Sequence, residues 1–177
     1  MTAIIIVAII AVLILIWCVS TLNGFKRQEI RVNESLSDIE VALTKRCDLL
    51  TKMLDTAKNY MKNEKETFTG TIKLRRGMTV GELNTAAGEI DALSGKLAAV
   101  AEGYPELRSA DVFVELQKGI RDAEEHLQAA RRLYNSNVTK YNTAISVFPA
   151  SLLSGGRKPI DFFAASEGAK SDVKMDF

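Results

Sequence analysis

Residues 111–149, "DVFVELQKGIRDAEEHLQAARRLYNSNVTKYNTAISVFP", place an apolar or aromatic side chain at every seventh position: Phe113, Ile120, Leu127, Tyr134, Tyr141 and Phe148. Leu116, Ala123 and Ala130 follow members of the series at three residues, and Val138 and Ile145 at four. On a helix these spacings fall on one face. The stretch therefore predicts a helix from about Ser109 or Ala110 to Phe148 with one buried stripe, ended by Pro149, which cannot donate to a continuing ladder. Both tyrosines of the repeated Tyr-Asn pair belong to that stripe, with hydroxyls reaching its boundary for a partner. Asn135 and Asn142 sit one place later, on its shoulder, and two readings stay open. They lock helix register through paired hydrogen bonds, or they line a polar groove with Arg131 and Arg132 that receives a protein partner.

Upstream, Pro105 in "GYPEL" enforces a turn. Before it, "TVGE" at Thr79–Glu82 has the spacing of a capping box, so a second helix is expected from there to about Tyr104. Leu83, Ile90, Leu97 and Tyr104 share one heptad position, and Ala86, Leu93 and Val100 widen the face. Gly81, Gly88 and Gly95 share another position roughly opposite, each costing about 0.5–1 kcal/mol relative to alanine. Either a second helix approaches closely over that smooth surface, or it is a loosely stable outer face. A first long helix is expected from about Phe25 to Phe68, separate from or continuous with what precedes it. Leu36, Leu43, Leu50 and Ala57 recur at seven residues, joined by Ile39, Met53, Tyr60, Leu54, Met61 and Phe68. "GTIKLRRG" at 70–77 interrupts it with two glycines and a basic cluster, Lys73, Arg75 and Arg76. If the first helix runs straight, this loop is its far end and Pro105 lies nearest the membrane. No alternating stretch bounded by hairpin turns suggests a sheet.

The amino-terminal segment is different in kind. Ala3–Val19, "AIIIVAIIAVLILIWCV", is seventeen uninterrupted apolar residues, and no charged side chain precedes Lys26. About twenty helical residues cover about 30 Å, the hydrocarbon thickness of a bilayer. Trp17 sits near the end, where an indole favours the interface. A cleaved secretory signal would want a basic leader and small residues at the cut site, and a lipid-attachment reading of Cys18 meets bulky Trp17 where such boxes carry a small residue. A retained anchor is the expectation. Lys26, Arg27 and Arg31 follow the span directly, which by the positive-inside tendency places the C-terminal part in the cytoplasm.

The whole chain has 177 residues, 47% hydrophobic and 25% charged, enough for one domain with a real core. With 23 basic against 22 acidic residues there is no net field to gather a nucleic acid. Cys18 lies in the span and Cys47 well beyond it, which excludes a disulfide framework, and Cys47 reads as a small core residue or else a reactive thiol. His126 is the single histidine, so neither a metal site nor a His-based relay has its second member. Glu124 and Glu125 beside it read as a solvated patch, and "KNEKE" at 62–66 as a mixed-charge face. No phosphate-cradling loop, nucleophile elbow or dinucleotide fingerprint occurs. No cofactor and no small-molecule substrate are expected. An enzymatic role has only Glu124, His126 and Arg131 in a groove to draw on.

The segments "LTKRCDLLTKMLDTAKNYMKNEKE", "LAAVAEGYPELRSADVFVELQKGIRDAEEHLQAARRLYN" and "YNTAISVFPASLL", followed by "FF" and a closing "VKMDF", resemble the bacterial LemA family in order and spacing. The resemblance covers about residues 25–177, with "AEGYPEL", "ARRLYN" and "YNTAISVFP" its most specific pieces. Cys47 stands where the family usually has a tyrosine, and Thr51 where it usually has a proline, which should leave the first helix straighter. The resemblance implies a single membrane helix followed by an antiparallel helical bundle. It brings no catalytic residues with it, and some members are associated with envelope or membrane-organelle assembly.

The expected fold is all-α. A transmembrane anchor over 1–24 leads into an antiparallel bundle of three long helices over 25–150, four-helix-bundle-like with a short C-terminal segment, and 151–177 form an irregular tail in which Leu152, Leu153, Phe162 and Phe163 cover one end. The expected role is that of a non-enzymatic interaction or scaffold protein of the bacterial inner membrane, binding a protein partner or itself. The alternative is a membrane-shaping or lipid-contacting assembly protein that uses Lys73, Arg75 and Arg76.

Overall fold

Helix α1 runs unbroken over Thr2–Lys58 in the computed structural model, which describes residues 1–60, 74–75 and 77–164. The apolar segment and the first bundle helix are thus one element. Residues 1–17 expose their side chains all round, and Phe25 is the first buried one. From there Val32, Ile39, Leu43, Leu50, Met53 and Ala57 are buried at intervals of three, four and seven residues. The stripe predicted by periodicity is therefore real. The helix stops short of Phe68, at Lys58, with Asn59 and Tyr60 in a turn and Tyr60 exposed because it lies past the last helical residue. Met61, Phe68 and the "KNEKE" face lie outside the described residues.

Helix α2 spans Val80–Gly103, a short α3 Pro105–Ser109, and α4 Asp111–Ser146, followed by a 3₁₀ turn at Ala150–Leu153. Among the described residues there is no strand. The capping box forms as read: the Thr79 hydroxyl accepts from the Glu82 amide at 3.3 Å, and Glu82 Oε2 accepts from the Thr79 amide at 2.7 Å. Pro105 opens α3, where its missing amide proton costs no hydrogen bond. A Cβ at Gly81, Gly88 or Gly95 would meet open space, so that stripe is an outer face of α2 and no helix approaches over it among the described residues.

The chain forms two compact units through which both α1 and α4 pass. One comprises residues 1–35 and 133–162. In it α1 and α4 pair side by side: Asn137 Nδ2 donates to the Arg31 carbonyl and to Ser35 Oγ, both at 3.2 Å. Phe25, Val32, Tyr134, Val138, Tyr141 and Ile145 are its buried apolar side chains. Phe148 is not among them. Helix α4 ends at Ser146, so the last member of the heptad series falls beyond the helix and is exposed.

The other unit comprises 36–132 with Phe163 and Ala164. Here Arg46 meets Glu124, while Leu49 packs on Gly119 so closely that an added Cβ would lie 3.3 Å from Leu49 Cδ2. Partners on α4 descend as those on α1 ascend, so the two helices are antiparallel. Helix α2 advances with α1 instead, since Gly77 donates to Glu40 Oε1 and Asp91 pairs with Arg46. Leu74, Arg75 and Gly77 consequently lie beside α1 rather than past its far end, which replaces the simple hairpin expected for the 70–77 loop. It also removes the reason for placing Pro105 nearest the membrane. Gly77 makes this return possible at φ +75°, a conformation that side-chain-bearing residues rarely adopt. In the tail, Phe163 is buried but Leu152 and Phe162 are exposed, so they do not cover the bundle end as expected.

Truncating the fully buried Leu127 to alanine should lower stability by about 2–5 kcal/mol, whereas alanine at its exposed neighbour His126 should change it by less than about 0.5 kcal/mol. Thr79→Ala should cost about 1 kcal/mol through loss of the cap. Urea unfolding of the detergent-solubilised chain, followed by circular dichroism, checks all three.

Candidate functional site

The side chains singled out from sequence separate into different settings. Arg131 does not line an open groove; it is buried, with its guanidinium 5.0 Å from the Phe163 ring centroid. Burial weakens its hold on its proton, while the charges of Glu124 and Asp91 act the other way. Arg132, the next residue round the helix, is exposed. Arg131 thus belongs to a charged cluster that periodicity did not reveal. Its centre is Arg46, buried on α1, whose Nη1 lies 2.5 Å from Asp91 Oδ1 and 2.8 Å from Glu124 Oε2. One guanidinium from α1 thereby joins a carboxylate from α2 to one from α4. Arg46 Nε and Arg131 Nε are buried without a hydrogen-bond partner among the described residues. The only sequence signal for this cluster was an arginine next to the apolar Leu43–Leu50 stripe.

His126 is exposed on the same helix. It does not share the buried setting of Arg131, which weakens the grouping of Glu124, His126 and Arg131 as a reactive set. Among the described residues no three His, Cys, Asp or Glu side chains converge as a metal site would require. The Cys47 thiol is pushed up in pKa, first by burial and then by the charge of Asp48, which keeps it protonated and a poor nucleophile.

Asn142 has a different task from either one expected. Its Nδ2 donates to the Ile160 carbonyl at 2.9 Å and its Oδ1 accepts from the Ile160 amide at 2.8 Å. Tyr134, one helical stripe away, donates its hydroxyl to the Asp161 carbonyl at 2.9 Å. Two polar tips on α4 thus fasten the returning chain through its backbone. Asn135 is half-buried beside them. Arg157 adds a cation–π contact, 5.3 Å above the Phe25 ring.

Of the basic loop, Lys73 and Arg76 lie outside the described residues. Arg75 is exposed and paired with Glu82 at 2.6 Å. Glu82 is held below the usual carboxylate range by its hydrogen bond from the Thr79 backbone and then by Arg75. Leu74 and Arg75 border a groove of about 700 Å³ along α1, whose walls include Glu40, Val41, Lys45 and Asp48. Its mixed charge and open form suit a protein surface better than a reactive centre.

Replacing Arg46 by alanine leaves Asp91 and Glu124 facing one another and should destabilise by about 2–4 kcal/mol, with loss of cooperative unfolding as the readout. Tyr134 yields a pH prediction. Burial, and then the charge of Asp161, pushes its pKa up to about 12 from an ordinary 10. A raised folded-state pKa means that its contribution is intact below pH 10 and lost as pH rises from 10 to about 12. The urea midpoint should fall through that window, and fall less steeply in Tyr134→Phe.

Residues 35–177 match the model of the LemA family. The chain is similar to protein LemA of Metamycoplasma hominis, with 25% identity over 131 residues, 71% of this chain and 60% of that protein. It is also similar to the magnetosome protein MamQ of Magnetospirillum gryphiswaldense, with 31% identity over 71 residues, 39% of this chain and 26% of that protein. The chain therefore spans less than two thirds of either relative's length. With the family model covering nearly everything beyond the charge-free segment, the chain belongs to the LemA family.

Proposed function

We propose that this chain is a membrane-anchored, non-enzymatic scaffold of the bacterial envelope, held by residues 1–24 in the inner membrane and presenting the helices of 25–150 to a protein partner or to a second copy. Of the tail, Ile160, Asp161 and Phe163 are held against α4. One observation carries the reading: helix α1 has an apolar section long enough to cross a bilayer with none of it buried, and the same helix then acquires a one-sided buried stripe. A fully lipid-facing stretch and a bundle-facing stretch on one element suit a tether that delivers an interaction module. Polar side chains met in the interior, Arg46, Asp91, Glu124 and Asn142, are engaged in holding helices and chain, which leaves little for catalysis.

Arg132 and the mixed-charge groove beside Leu74 are the surfaces offered to a partner. The three basic residues after the span favour a cytoplasmic bundle. Lipid contact through Lys73, Arg75 and Arg76 is the lesser reading, because Arg75 is already neutralised by Glu82. The likeness to a magnetosome protein keeps assembly of a membrane structure as the second role for the same tethered bundle.

The full-length chain should stay with bacterial membranes through carbonate extraction, and deletion of residues 2–24 should release it to the supernatant. A reporter fused after residue 177 should be active only when the reporter works in the cytoplasm; a signal restricted to the periplasm overturns the orientation. His126→Ala should leave every phenotype of a deletion strain complemented, and failure to complement would revive the enzymatic reading.

A further inference from the structure

We infer that the corner after α4, with Val147, Phe148 and Leu152 at its apolar tip, inserts into the bilayer interface beside the anchor. The inference rests on the anchor reading above. Three large apolar side chains in a six-residue turn are 53, 75 and 74% exposed. They follow directly on the end of α4, whose nearest apolar stripe is buried at Tyr134, Val138, Tyr141 and Ile145. Something other than the protein interior covers this turn.

Its place in the unit identifies the cover. Asn137 is bonded to Arg31 and Ser35, and α4 runs from Asn137 toward Ser146 against the direction of α1. The nine residues between them rise about 14 Å, and the same distance back along α1 reaches Leu22–Lys26. That is the level at which the charge-free segment ends. Arg157 over Phe25 confirms the register from the other side of the turn. Phe148 and Leu152 therefore stand at the height where the apolar section of α1 begins. Cations flank them: Lys26, Arg27 and Arg31 on α1, and exposed Lys158 on the returning chain, with Glu29 engaged by Lys26 at 3.1 Å. An aromatic and a leucine beside such a basic rim fit a surface of anionic headgroups over acyl chains. The tether thereby acquires a second contact with lipid, made by the bundle itself, which fixes the turn against the membrane.

The test uses the full-length chain in vesicles of phosphatidylethanolamine and phosphatidylglycerol. F148W in a W17F background should emit blue-shifted fluorescence, quenched by lipids brominated near the headgroup at least about twofold more than L133W. Leu133 is exposed in the same unit but lies fifteen residues earlier on α4. L152W repeats the measurement at the second position. Native Trp17 in the unsubstituted chain separates the two failures. If Trp17 is quenched and F148W and L152W are not, the anchor stands and this inference falls; if Trp17 is not quenched either, both fall. A blue shift without bromine quenching means that protein covers the turn and overturns the lipid contact. Removing phosphatidylglycerol should weaken the F148W quenching, and undiminished quenching in neutral vesicles overturns the part assigned to the basic rim.

Discussion

A helix that has no polar side chain to offer must satisfy its backbone by itself, and this requirement governs the first part of α1. Past its first turn, its amides bond to carbonyls of the same helix, which is the way a lone segment can exist in hydrocarbon. The Thr21 hydroxyl complies as well, since its Oγ1 donates to the carbonyl of Trp17 at 2.8 Å and so presents no unmet donor. Because the ladder continues without a break past Phe25, side chains alone distinguish the fully exposed section from the one with a buried stripe. The buried residues from Phe25 to Ala57 accordingly all belong to the helix that carries the apolar segment.

Apolar stripes bring helices together but align them loosely, and the polar contacts do the aligning. Arg46 reaches a carboxylate on each of two other helices, so sliding α1 by one turn would strand three charges at once. Such a group is a weak source of net stability, because its desolvation offsets its attraction, yet a misregistered arrangement would be far worse. Asn137 has the same effect in the other unit with neutral chemistry, tying one amide to a backbone carbonyl and a hydroxyl on α1.

Periodicity revealed what depends on periodicity. The stripes of α1, α2 and α4, the capping box at Thr79 and the stop near Pro149 were all legible, since each is a local pattern read through helix geometry. Tertiary choices were not. Nothing local says that Gly77 comes back beside Glu40 so that α2 advances with α1, because that contact joins a glycine to a carboxylate thirty-seven residues away. Arg46 and Arg131 were hidden for a similar reason: an arginine beside an apolar stripe looks the same whether it reaches out to water or in to Asp91. Phe148 misled by keeping the seven-residue beat two positions beyond the end of the helix. The asparagines were recognised as meaningful, but the partner of Asn142 was the backbone of the returning chain, which leaves no trace in composition.

That last contact has an evolutionary corollary. Asn142 grips position 160 through its peptide groups alone, one donor to the carbonyl and one acceptor from the amide. Aspartate lacks the donor and glutamine is a methylene too long, so drift at 142 is barred, whereas the clasp itself places no demand on the side chain at 160. Among relatives that keep this tail attached, the asparagine should be monotonous while its partner varies.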